Sequence, residues 1–597
     1  MHYSKAQGTI EYLVILSVVV VIGLVVVGLA NNIFQSPSAQ VSSSAGKIGG
    51  LTSGGISIVD AVTDFDGDSL IELQNNSGEM LTLQKIVAGE KEDYFNEQLL
   101  QGNNKTFSIS QTNFSCPCGA GQDRVSCSFD FYFLTVNGLE KVQNTTVNVV
   151  CVSNTVPVNV TSVVGLGDGT LDNPWVINSC VEFQNMESHL DGNYSLGGDI
   201  NCYDTRNWNL GEGFLPIGNY DASPFTGSLN GRGHFVSDLY ISRAAEDYVG
   251  VFRYSLGSIS NIGLLRVDIN GKNHVGGLAG WQASNPISNS YVTGGVNGTS
   301  FMVGGIAGYL GGGTISNSYF SGAVNGDGSD YYVGGIVGYS LGSVSDSYSS
   351  GSVASAAQTV GGLVGYLNGG SVSNSYSTSS VNGSVYVGGI VGYQVTGGST
   401  ISNSYSTGNV TGGDMTGGLV GIQKDGTVIT DSYSLSSVSG GGMAGGFVGA
   451  SEATISGSYS SGTVTGGGDQ MGGFVGSQIS GDISNCYSTS IVNSPSSTNV
   501  GGFAGSQGEE NGTISNSYSM GSVTEGDNTG GFLGYHETGS ISNSFWDKTT
   551  SGQLTSAGDA VGKTTAEMNT LSTFTNAGWD FGSVWNIDET VTYPYFR

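Results

Sequence analysis

The segment VGGLVGYLNGGSVSNSYS, residues 360–377, contains two short motifs that recur through the second half of the chain. The first is a pair of glycines flanked by apolar residues, found ten times at intervals of 27 to 30 residues. The pairs begin at Gly276, Gly304, Gly334, Gly361, Gly388, Gly417, Gly445, Gly472, Gly501 and Gly530. A fixed period of this length indicates a repeat architecture in which each repeat is one structural unit.

The second motif, ISNSY or a close variant, lies between successive glycine pairs. Examples of the full motif lie at residues 315–319, 401–405 and 514–518. Alternate side chains of an extended strand share a face. The motif would therefore place its Ile, Asn and Tyr on one face and its two Ser on the other. One face is expected to pack inward and the other to meet water.

The period and the glycine content together predict an all-β solenoid. About 28 residues accommodate about three short strands with their corners, whereas a propeller blade needs about 40 or more. Helical repeats are excluded by the 100 Gly, because each Gly inside a helix costs about 1 kcal/mol relative to Ala. We predict a right-handed parallel β-helix of about ten repeats, each forming one coil.

Stacked coils would align equivalent residues in ladders. Ile would lie over Ile, Asn over Asn and Tyr over Tyr, with Gly at corners that need positive φ or close backbone approach. The regular recurrence of Tyr fits core ladders as well as an outer face on which the rings stack against sugars. Cys486 replaces the second Ser of one motif and is expected to be an isolated thiol.

The repeats resemble those of the GLUG-motif family, on the evidence of VGGIVGY at residues 333–339, VGGLVGY at 360–366 and the SVSNSYS that follows. The resemblance extends over roughly residues 172–597. That family occurs in bacterial and archaeal surface adhesins and beside the metalloprotease domain of some IgA-cleaving proteases. It therefore implies a surface role for this chain.

The charge balance narrows the possible functions. The chain has 17 Lys plus Arg against 47 Asp plus Glu, a formal net charge of −30. Such an acidic chain would be repelled by a phosphate backbone, so no nucleic-acid partner is predicted. Disorder is not predicted either, because apolar residues recur at fixed intervals among the Gly and Ser and supply burial.

The N-terminus carries an uncharged apolar run, residues 13–30, which as a helix would span about 27 Å, close to a bilayer core. The preceding KAQGTIEYL, residues 5–13, resembles the class III signal peptides of archaeal type IV pilin-like proteins. The resemblance implies a prepilin peptidase that cuts between Ala6 and Gln7 and leaves the helix attached. Glu11 would then be able to pair with the new α-amino group of a neighbouring pilin-like subunit. An uncleaved anchor, or a signal peptide cleaved after Ala30, are the alternatives.

The segment after the N-terminal helix predicts a small extracellular domain. Short runs of alternating apolar and polar residues between turn signals indicate a β-sandwich of the immunoglobulin-like kind. Asp64, Asp66 and Asp68 resemble the opening of a calcium loop, but Asn75 stands where the bidentate Glu would be required. They are a weak calcium candidate, and a polar turn is the alternative.

Six of the seven Cys lie outside the repeats and would suit an extracellular disulfide framework. They are Cys116, Cys118, Cys127, Cys151, Cys180 and Cys202. The first four allow three connectivities, which the sequence leaves open.

No catalytic residues and no cofactor are predicted. The HExxH zinc-protease motif is absent, since Ser540 follows His536 at the spacing where the second His is required. A polysaccharide-cleaving β-helix would need a cluster of carboxylates on one face, whereas Asp327 and Asp330, like Glu509 and Glu510, occur as isolated groups. An enzyme is therefore only the third hypothesis.

The sequence divides into a leader, an apolar helix, a linker, a β-sandwich, an N-terminal cap with the first coils, the repeats and a C-terminal cap. The corresponding ranges are 1–6, 7–34, 35–54, 55–155, 156–270, 271–547 and 548–597. The function predicted is that of an adhesin-like or pilin-like cell-surface protein, membrane-anchored or pilus-associated. Its partner would be a glycan or another cell-surface ligand. A structural spacer of the cell envelope is the alternative.

Overall fold

The computed structural model describes residues 56–152, with gaps at 65–68, 76–79, 89–90, 100–103, 110–123 and 136–139. It also describes residues 166–597, with gaps at 221–222, 328–331, 357, 396, 509 and 525. Contacts divide the chain into two compact units, Met1–Asn154 and Thr155–Arg597. None of the helices within the described ranges is both long and apolar enough to cross a membrane. The predicted leader, apolar helix and linker lie outside those ranges.

The first unit is a single seven-stranded sheet. Its strands are β1 (Ile56–Asp64), β2 (Ser69–Asn75), β3 (Leu81–Ala88), β4 (Lys91–Leu99), β5 (Asn104–Ile109), β6 (Arg124–Thr135) and β7 (Glu140–Val152). Their order is β4-β3-β6-β7-β1-β2-β5. The two-sheet sandwich is not supported, because β1 pairs with β2 on one side and, in parallel, with β7 on the other. This double pairing joins all the strands into one sheet.

The predicted sites of the first unit fall mostly outside the described residues. Asp64 ends β1, whereas Asp66 and Asp68 are in a gap, so calcium binding remains untested. Cys127, in β6, is buried and disulfide-bonded. Two other candidates, Cys116 and Cys118, and the side chain of Cys151 lie outside the described part.

The second unit is a parallel β-solenoid of about eleven turns, with four strand positions per coil rather than three. One coil runs through Tyr332–Gly334, Val337–Ser340, Ser343–Ser345 and Tyr348–Ser355 before the next begins at Thr359. Four strands fit into 27 residues because each corner takes only two or three residues. The four positions stack into four sheets, S1 to S4, in that order along the coil.

Sheet S1 contains the strands that lead into the glycine pairs. They are Val275–Gly276, Val303–Gly304, Tyr332–Gly334, Thr359–Gly361, Tyr386–Gly388, Met415–Gly417, Met443–Gly445, Gln470–Gly472, Asn499–Gly501 and Asn528–Gly530. Sheet S2 contains the strands that follow the pairs. They are Phe252–Ser255, Ala279–Gln282, Ala307–Leu310, Val337–Ser340, Val364–Asn368, Val391–Val395, Val420–Gln423, Val448–Ser451, Val475–Gln478, Ala504–Gln507 and Leu533–His536.

Sheet S3 contains the first half of the ISNSY motif. Its strands are Trp175–Ile177, Asn193–Leu196, Ser228–Asn230, Ser258–Ser260, Ile287–Ser288, Thr314–Ser316, Ser343–Ser345, Ser371–Ser373, Thr400–Ser402, Val428–Thr430, Thr454–Ser456, Asp482–Ser484, Thr513–Ser515 and Ser540–Ser542.

In most coils the strand that belongs to sheet S4 begins at the Tyr of the ISNSY motif. Its strands are Ile200–Asn201, Phe235–Ser237, Tyr240–Ser242, Gly263–Gly271, Tyr291–Gly298, Tyr319–Gly326, Tyr348–Ser355, Tyr376–Ser377, Ser380–Asn382, Tyr405–Ser406, Val410–Thr411, Tyr433–Ser434, Val438–Gly440, Tyr459–Ser460, Thr463–Gly466, Tyr487–Ser488, Ile491–Asn493, Tyr518–Ser519, Phe545–Asp547 and Val561–Lys563.

The core is built from apolar residues that stack in register inside the coil. Val333, Val344 and Val353 are at most 1% exposed and lie beside Val360, Val372 and Val381 of the next coil. Burying such a side chain contributes about 1.5–3 kcal/mol. The repeated apolar positions of the sequence are therefore the ones that hold successive coils together.

The glycine pairs are required by close backbone approach and not by positive φ. At Gly388 a Cβ atom would lie 2.0 Å from the carbonyl oxygen of Val391, and at Gly389 it would lie 2.1 Å from that of Gly418 in the next coil. Neither residue has a left-handed φ. Any side chain at these positions would collide with main chain that cannot move aside.

Asn makes the positive-φ corner between S3 and S4 in most coils, and Asp346, Asp431 and Gly457 make it in three others. Asn317, Asn374 and Asn403 have φ of 48° to 49°, a conformation that Asn adopts more readily than most residues. This corner breaks the strand, so the prediction that Ile, Asn and Tyr share one face is wrong. Ile points inward, Asn makes the turn and Tyr points outward.

The second Ser of each motif forms a buried column behind this corner. The Ser404 N–H donates to Ser432 Oγ at 3.2 Å, and Ser404 Oγ donates to its own coil at Ser402 O. Cys486 occupies one position in the column as a buried free thiol, and its burial raises the thiol pKa to about 12. The serines therefore satisfy polar groups inside the corner instead of meeting water.

The two ends of the solenoid are covered differently. At the N-terminal end lies helix α1 (Cys180–Gln184), capped by Ser179 and followed by 3₁₀ turns at Asn185–Ser188, Tyr203–Asn207 and Asn209–Gly211. Cys180 and Cys202 form a disulfide with a Cα–Cα distance of 5.3 Å.

The C-terminal segment contains helices α2 (Lys548–Ser551), α3 (Thr565–Met568) and α4 (Leu571–Thr575), and a hairpin of Trp585–Asn586 with Tyr595–Phe596. Its residues 553–560 cover the last coil, where the Gly531 and Ala557 N–H groups bond to Thr555 O and Leu533 O. Its remainder folds back over sheet S4.

Candidate functional site

The outer face of S4 carries a ladder of nine tyrosines, here called the tyrosine ladder. Adjacent rings are 4.8–5.0 Å apart and within 8° of parallel. The members are Tyr291, Tyr319, Tyr348, Tyr376, Tyr405, Tyr433, Tyr459, Tyr487 and Tyr518. All except Tyr518 are partly exposed, so the rings form an outer surface and not a core ladder.

Parallel stacking determines what the ladder presents to solvent. Each ring is in contact with its neighbours along the ladder, so mainly ring edges and hydroxyls are left to face outward. Burial between neighbouring rings raises the pKa of Tyr319, Tyr348 and Tyr433. These phenols stay protonated at neutral pH and can donate hydrogen bonds.

The C-terminal segment covers one end of the tyrosine ladder. Trp585 lies 6.2 Å from the rings of both Tyr487 and Tyr518, and Phe596 lies 5.4 Å from Tyr487. The Tyr518 hydroxyl donates to Pro594 O at 2.6 Å, and the residue is 2% exposed. The end of the ladder is therefore occupied by the protein itself.

A second aromatic surface, here called the aromatic stripe, lies across S1 and S2 in the first half of the solenoid. Its central column is in register on S2 and consists of Tyr254, Trp281, Tyr309, Tyr339, Tyr366 and Tyr393. Five further rings flank it: Tyr220, Tyr248, His274, Tyr332 and Tyr386. Every member is at least partly exposed, and Tyr220 is 42% exposed.

Ring orientations in the aromatic stripe are mixed. Tyr254 meets Tyr220 at 81° and Trp281 at 79°, and Tyr386 meets Tyr393 at 88°. A ring met edge-on is not covered by a parallel neighbour at that contact. Further along the column, Tyr309, Tyr339, Tyr366 and Tyr393 stack within 19° of parallel, as the ladder rings do. The stripe therefore differs from the ladder at the steep contacts around Tyr254 and Tyr386, and not along its whole length.

Two members of the aromatic stripe that could carry a charge, His274 and Tyr366, are neutral at neutral pH. Burial lowers the pKa of His274 to about 4, so the imidazole is uncharged at neutral pH. Burial and the neighbouring tyrosines raise the pKa of Tyr366 to about 12. The surface is a set of neutral rings with hydroxyl groups.

The stripe ends after Tyr393, although the strands continue. The S2 column proceeds through Ile422, Ala450, Ser477 and Ser506. The flanking S1 positions change in parallel, from Tyr386 through Met415 and Met443 to Gln470 and Asn499. The same backbone thus bears an aromatic surface in one half and a small, polar one in the other.

A polar groove runs along S4 beside the ladder. It has a volume of about 670 Å³ and is lined by Asn297, Asn325, Asn382 and neighbouring residues of four coils. Its amides are linked, since Asn325 donates to Asn297 at 2.8 Å and Asn297 to Asn270 at 2.9 Å. A second groove of about 410 Å³, lined by Thr411, Ser439 and Thr465, lies at equivalent positions of later coils.

No catalytic site was predicted, and the metal prediction was limited to the weak calcium candidate of the first unit. The described residues add few candidates. The described carboxylate lining the larger groove is Asp327, whereas Asp330 and Glu509 lie in gaps. Glu510 lines a separate groove with Asp425, Glu452 and Asp482. Nowhere in the described ranges do three or more His, Cys, Asp or Glu side chains form a group that could hold a metal.

Comparison with known proteins identifies the repeats. The model of the GLUG motif matches residues 299–325, 329–354, 356–382 and 383–411. Four consecutive coils are GLUG motifs. These GLUG coils contain four members of the aromatic stripe, Tyr309, Tyr339, Tyr366 and Tyr393.

Two curated relatives match parts of the chain. Halomucin of Haloquadratum walsbyi is 37% identical over 139 residues, which is 22% of this chain and 2% of halomucin. A protein of Evansella cellulosilytica described as a Gly-rich membrane protein is 32% identical over 147 residues, 24% of this chain and 14% of that protein. The chain thus spans a small part of the length of either relative.

Among solved structures, a protein of Bacteroides ovatus described as an immunoglobulin A1 protease matches with a TM-score of 0.31 at 20% identity. The match covers 72% of this chain and 94% of the other. At that score the likeness carries no argument.

Sequence reasoning singled out the ISNSY tyrosines but missed the aromatic stripe. The signal was present in the Tyr that ends VGGIVGY and VGGLVGY, and in the Tyr that precedes the glycine pair at positions 332 and 386. These tyrosines form one surface only because S1 and S2 meet at a corner of the coil. The processing residues Ala6, Gln7 and Glu11 lie outside the described part of the chain.

Proposed function

We propose that the protein is an adhesin-like cell-surface protein whose solenoid attaches to glycans, and that it is not an enzyme. The observation that carries this proposal is the outward orientation of two aromatic surfaces along the rod. Leaving ordered rows of aromatic side chains exposed to water is unfavourable in free energy, and such rows are typical of binding surfaces. The GLUG repeats and the named relatives, halomucin and a Gly-rich membrane protein, support a surface location.

The proposal includes membrane attachment through residues 7–34, after cleavage by a prepilin peptidase. Glu11 would be available to neighbouring pilin-like subunits. N-terminal sequencing of the mature chain should give Gln7 as the first residue. A start at His2, or beyond Ala30, would contradict this processing.

Two internal deletions of equal length separate glycan attachment from a spacer function. Removing residues 304–416 or residues 417–529 deletes 113 residues in either case, and each deletion runs from one glycine pair to another. The first removes the GLUG coils with six of the eleven rings of the aromatic stripe and keeps Trp281, and the second removes coils that lack the stripe. Both keep the residues of the N-terminal and C-terminal segments, although the second also removes Tyr487 and Tyr518, which the C-terminal segment covers.

We expect cells displaying the first deletion, which shortens the stripe, to lose more of their attachment to polysaccharide-coated surfaces than cells displaying the second. Attachment would be counted after washing, at equal surface levels of each protein. If both deletions leave attachment unchanged but weaken the cell envelope equally, the spacer function is favoured. Release of sugar products by the full-length chain would instead favour an enzyme.

A further inference from the structure

We propose that the aromatic stripe, centred on Trp281, is a binding site for uncharged polysaccharide chains. The proposal rests on the attachment function above and specifies both the surface and the ligand class. It selects the stripe over the longer and more regular tyrosine ladder.

Ring geometry favours the stripe. The apolar C–H face of a sugar ring binds best against an open aromatic face. Ladder rings lie within 8° of parallel and cover one another, whereas the stripe turns rings by 79° and 44° on either side of Trp281. Sugar stacking is therefore better supported at Trp281 than on S4.

Trp281 lies among other rings of the stripe, with Gly311 next to its indole nitrogen. Its ring lies 4.3 Å from Tyr309, 5.2 Å from Tyr220 and 5.5 Å from Tyr254. The 42% exposed Tyr220 forms the rim of this cluster. The rings that contact Trp281 thus belong to the stripe itself, whereas the far end of the ladder is covered by Trp585 and Phe596.

The distribution of charged residues near the stripe favours an uncharged ligand. From residue 273 to residue 411 the chain contains no Lys or Arg and three acidic residues, Asp327, Asp330 and Asp346. An anionic polymer would find no cation in that range to pair with, and would be repelled by the net charge of −30. The cations next to the Trp281 cluster, Arg253 and Lys272, are paired with Glu246 and Asp247. A cationic polymer would find few carboxylates.

The shape of the stripe selects a chain over a single sugar. Six rings of the central column follow the rod axis in register, and successive centroids from Trp281 to Tyr393 are 4.3 to 5.1 Å apart. Hydroxyls and amides lie alongside, as where Asn368 Nδ2 donates to Tyr339 Oη at 2.8 Å. A linear neutral polymer could contact several rings and hydrogen-bond to their hydroxyls.

The test uses the full-length chain in mild detergent, with hydroxyethyl cellulose as the neutral probe and heparin as the anionic probe. Affinity electrophoresis measures retardation by each polymer immobilised in the gel. Wild type is compared with Trp281→Ala and Tyr220→Ala in the stripe, with Trp281→Phe, and with Tyr376→Ala in the tyrosine ladder. Tyr220 is exposed enough that its replacement should leave the fold intact, which circular dichroism checks.

We expect retardation by hydroxyethyl cellulose and none by heparin. Affinity should fall about tenfold in Trp281→Ala, equivalent to about 1.4 kcal/mol. It should fall measurably in Tyr220→Ala and stay near wild type in Trp281→Phe and Tyr376→Ala.

One outcome would overturn the assignment to the stripe: Tyr376→Ala loses binding while the stripe variants fold and bind like wild type. The proposed attachment function would still hold in that case. Retardation by heparin equal to that by the neutral polymer would overturn the ligand class. If wild type binds neither polymer and cells displaying it do not attach to polysaccharide-coated surfaces, both proposals fail.

Discussion

Replacing Gly388 with Ala should destabilise the solenoid by about 3 kcal/mol or more, at the upper end of the cost of overpacking a core. The new Cβ would lie 2.0 Å from Val391 O and 2.8 Å from both Gly421 N and Leu419 O. All three are main-chain atoms, and two of them belong to the next coil. Relief of the clash would therefore require the corner between Gly388 and Val391 to open within the coil, and the next coil to move away.

The effect is measured as a fall in the midpoint of thermal unfolding, together with faster amide exchange in the coils around residue 388. Gly198→Ala is the matched control, since a Cβ there would meet no atom within 4 Å and Gly198 has no positive φ. It should change stability by less than about 0.5 kcal/mol. Equal midpoints for the two variants would show that the coils are not held at this spacing.

Replacing Trp585 with Ala should release the C-terminal segment from the tyrosine ladder, at a cost of about 3–5 kcal/mol for a buried Trp. The side chain is 0% exposed and lies 4.7 Å from both Trp579 and Phe596. Its Nε1 also donates to Asn485 Oδ1 of the solenoid at 3.3 Å. Loss of this ring removes the contact that joins the segment to the ladder.

Limited proteolysis measures the result as faster cleavage within residues 565–597, with Tyr518 becoming exposed to modification. The matched control is Val591→Ala in the same segment, because Val591 is 73% exposed and contributes little packing. Its cleavage rate should match wild type. A Trp585→Ala chain that resists protease as well as wild type would show that the segment is held by its other contacts.

Much of the fold follows from periodicity. The spacing of the glycine pairs predicted the coil, and the pairs fall in register in S1, as Gly388 does with Gly417. The number of strands per coil was underestimated, because corners made by a single Asn or a glycine pair use fewer residues than expected. The β-sandwich was not supported. Alternation of apolar and polar residues predicts strands but does not reveal which strands pair, and the pairing of β1 with β7 joins them all into one sheet.

The candidate site was predictable only in part. The recurrence of Tyr at the end of ISNSY predicted a ladder, but the face could not be known, because the left-handed backbone at Asn317 reverses the expected alternation. The aromatic stripe escaped notice because Tyr386 and Tyr393 belong to different strands, which become neighbours only where S1 and S2 meet.

The sequence by itself determined that this chain stacks repeats of 27 to 30 residues into a parallel solenoid, because glycine pairs and apolar residues at a fixed period leave few other ways to bury a core. The tertiary structure alone decided which residues face outward and which surfaces remain open. Corners set the direction of each side chain, and coil-to-coil register sets its neighbours. The C-terminal segment, distant in sequence from Tyr487, decides that this end of the ladder is covered.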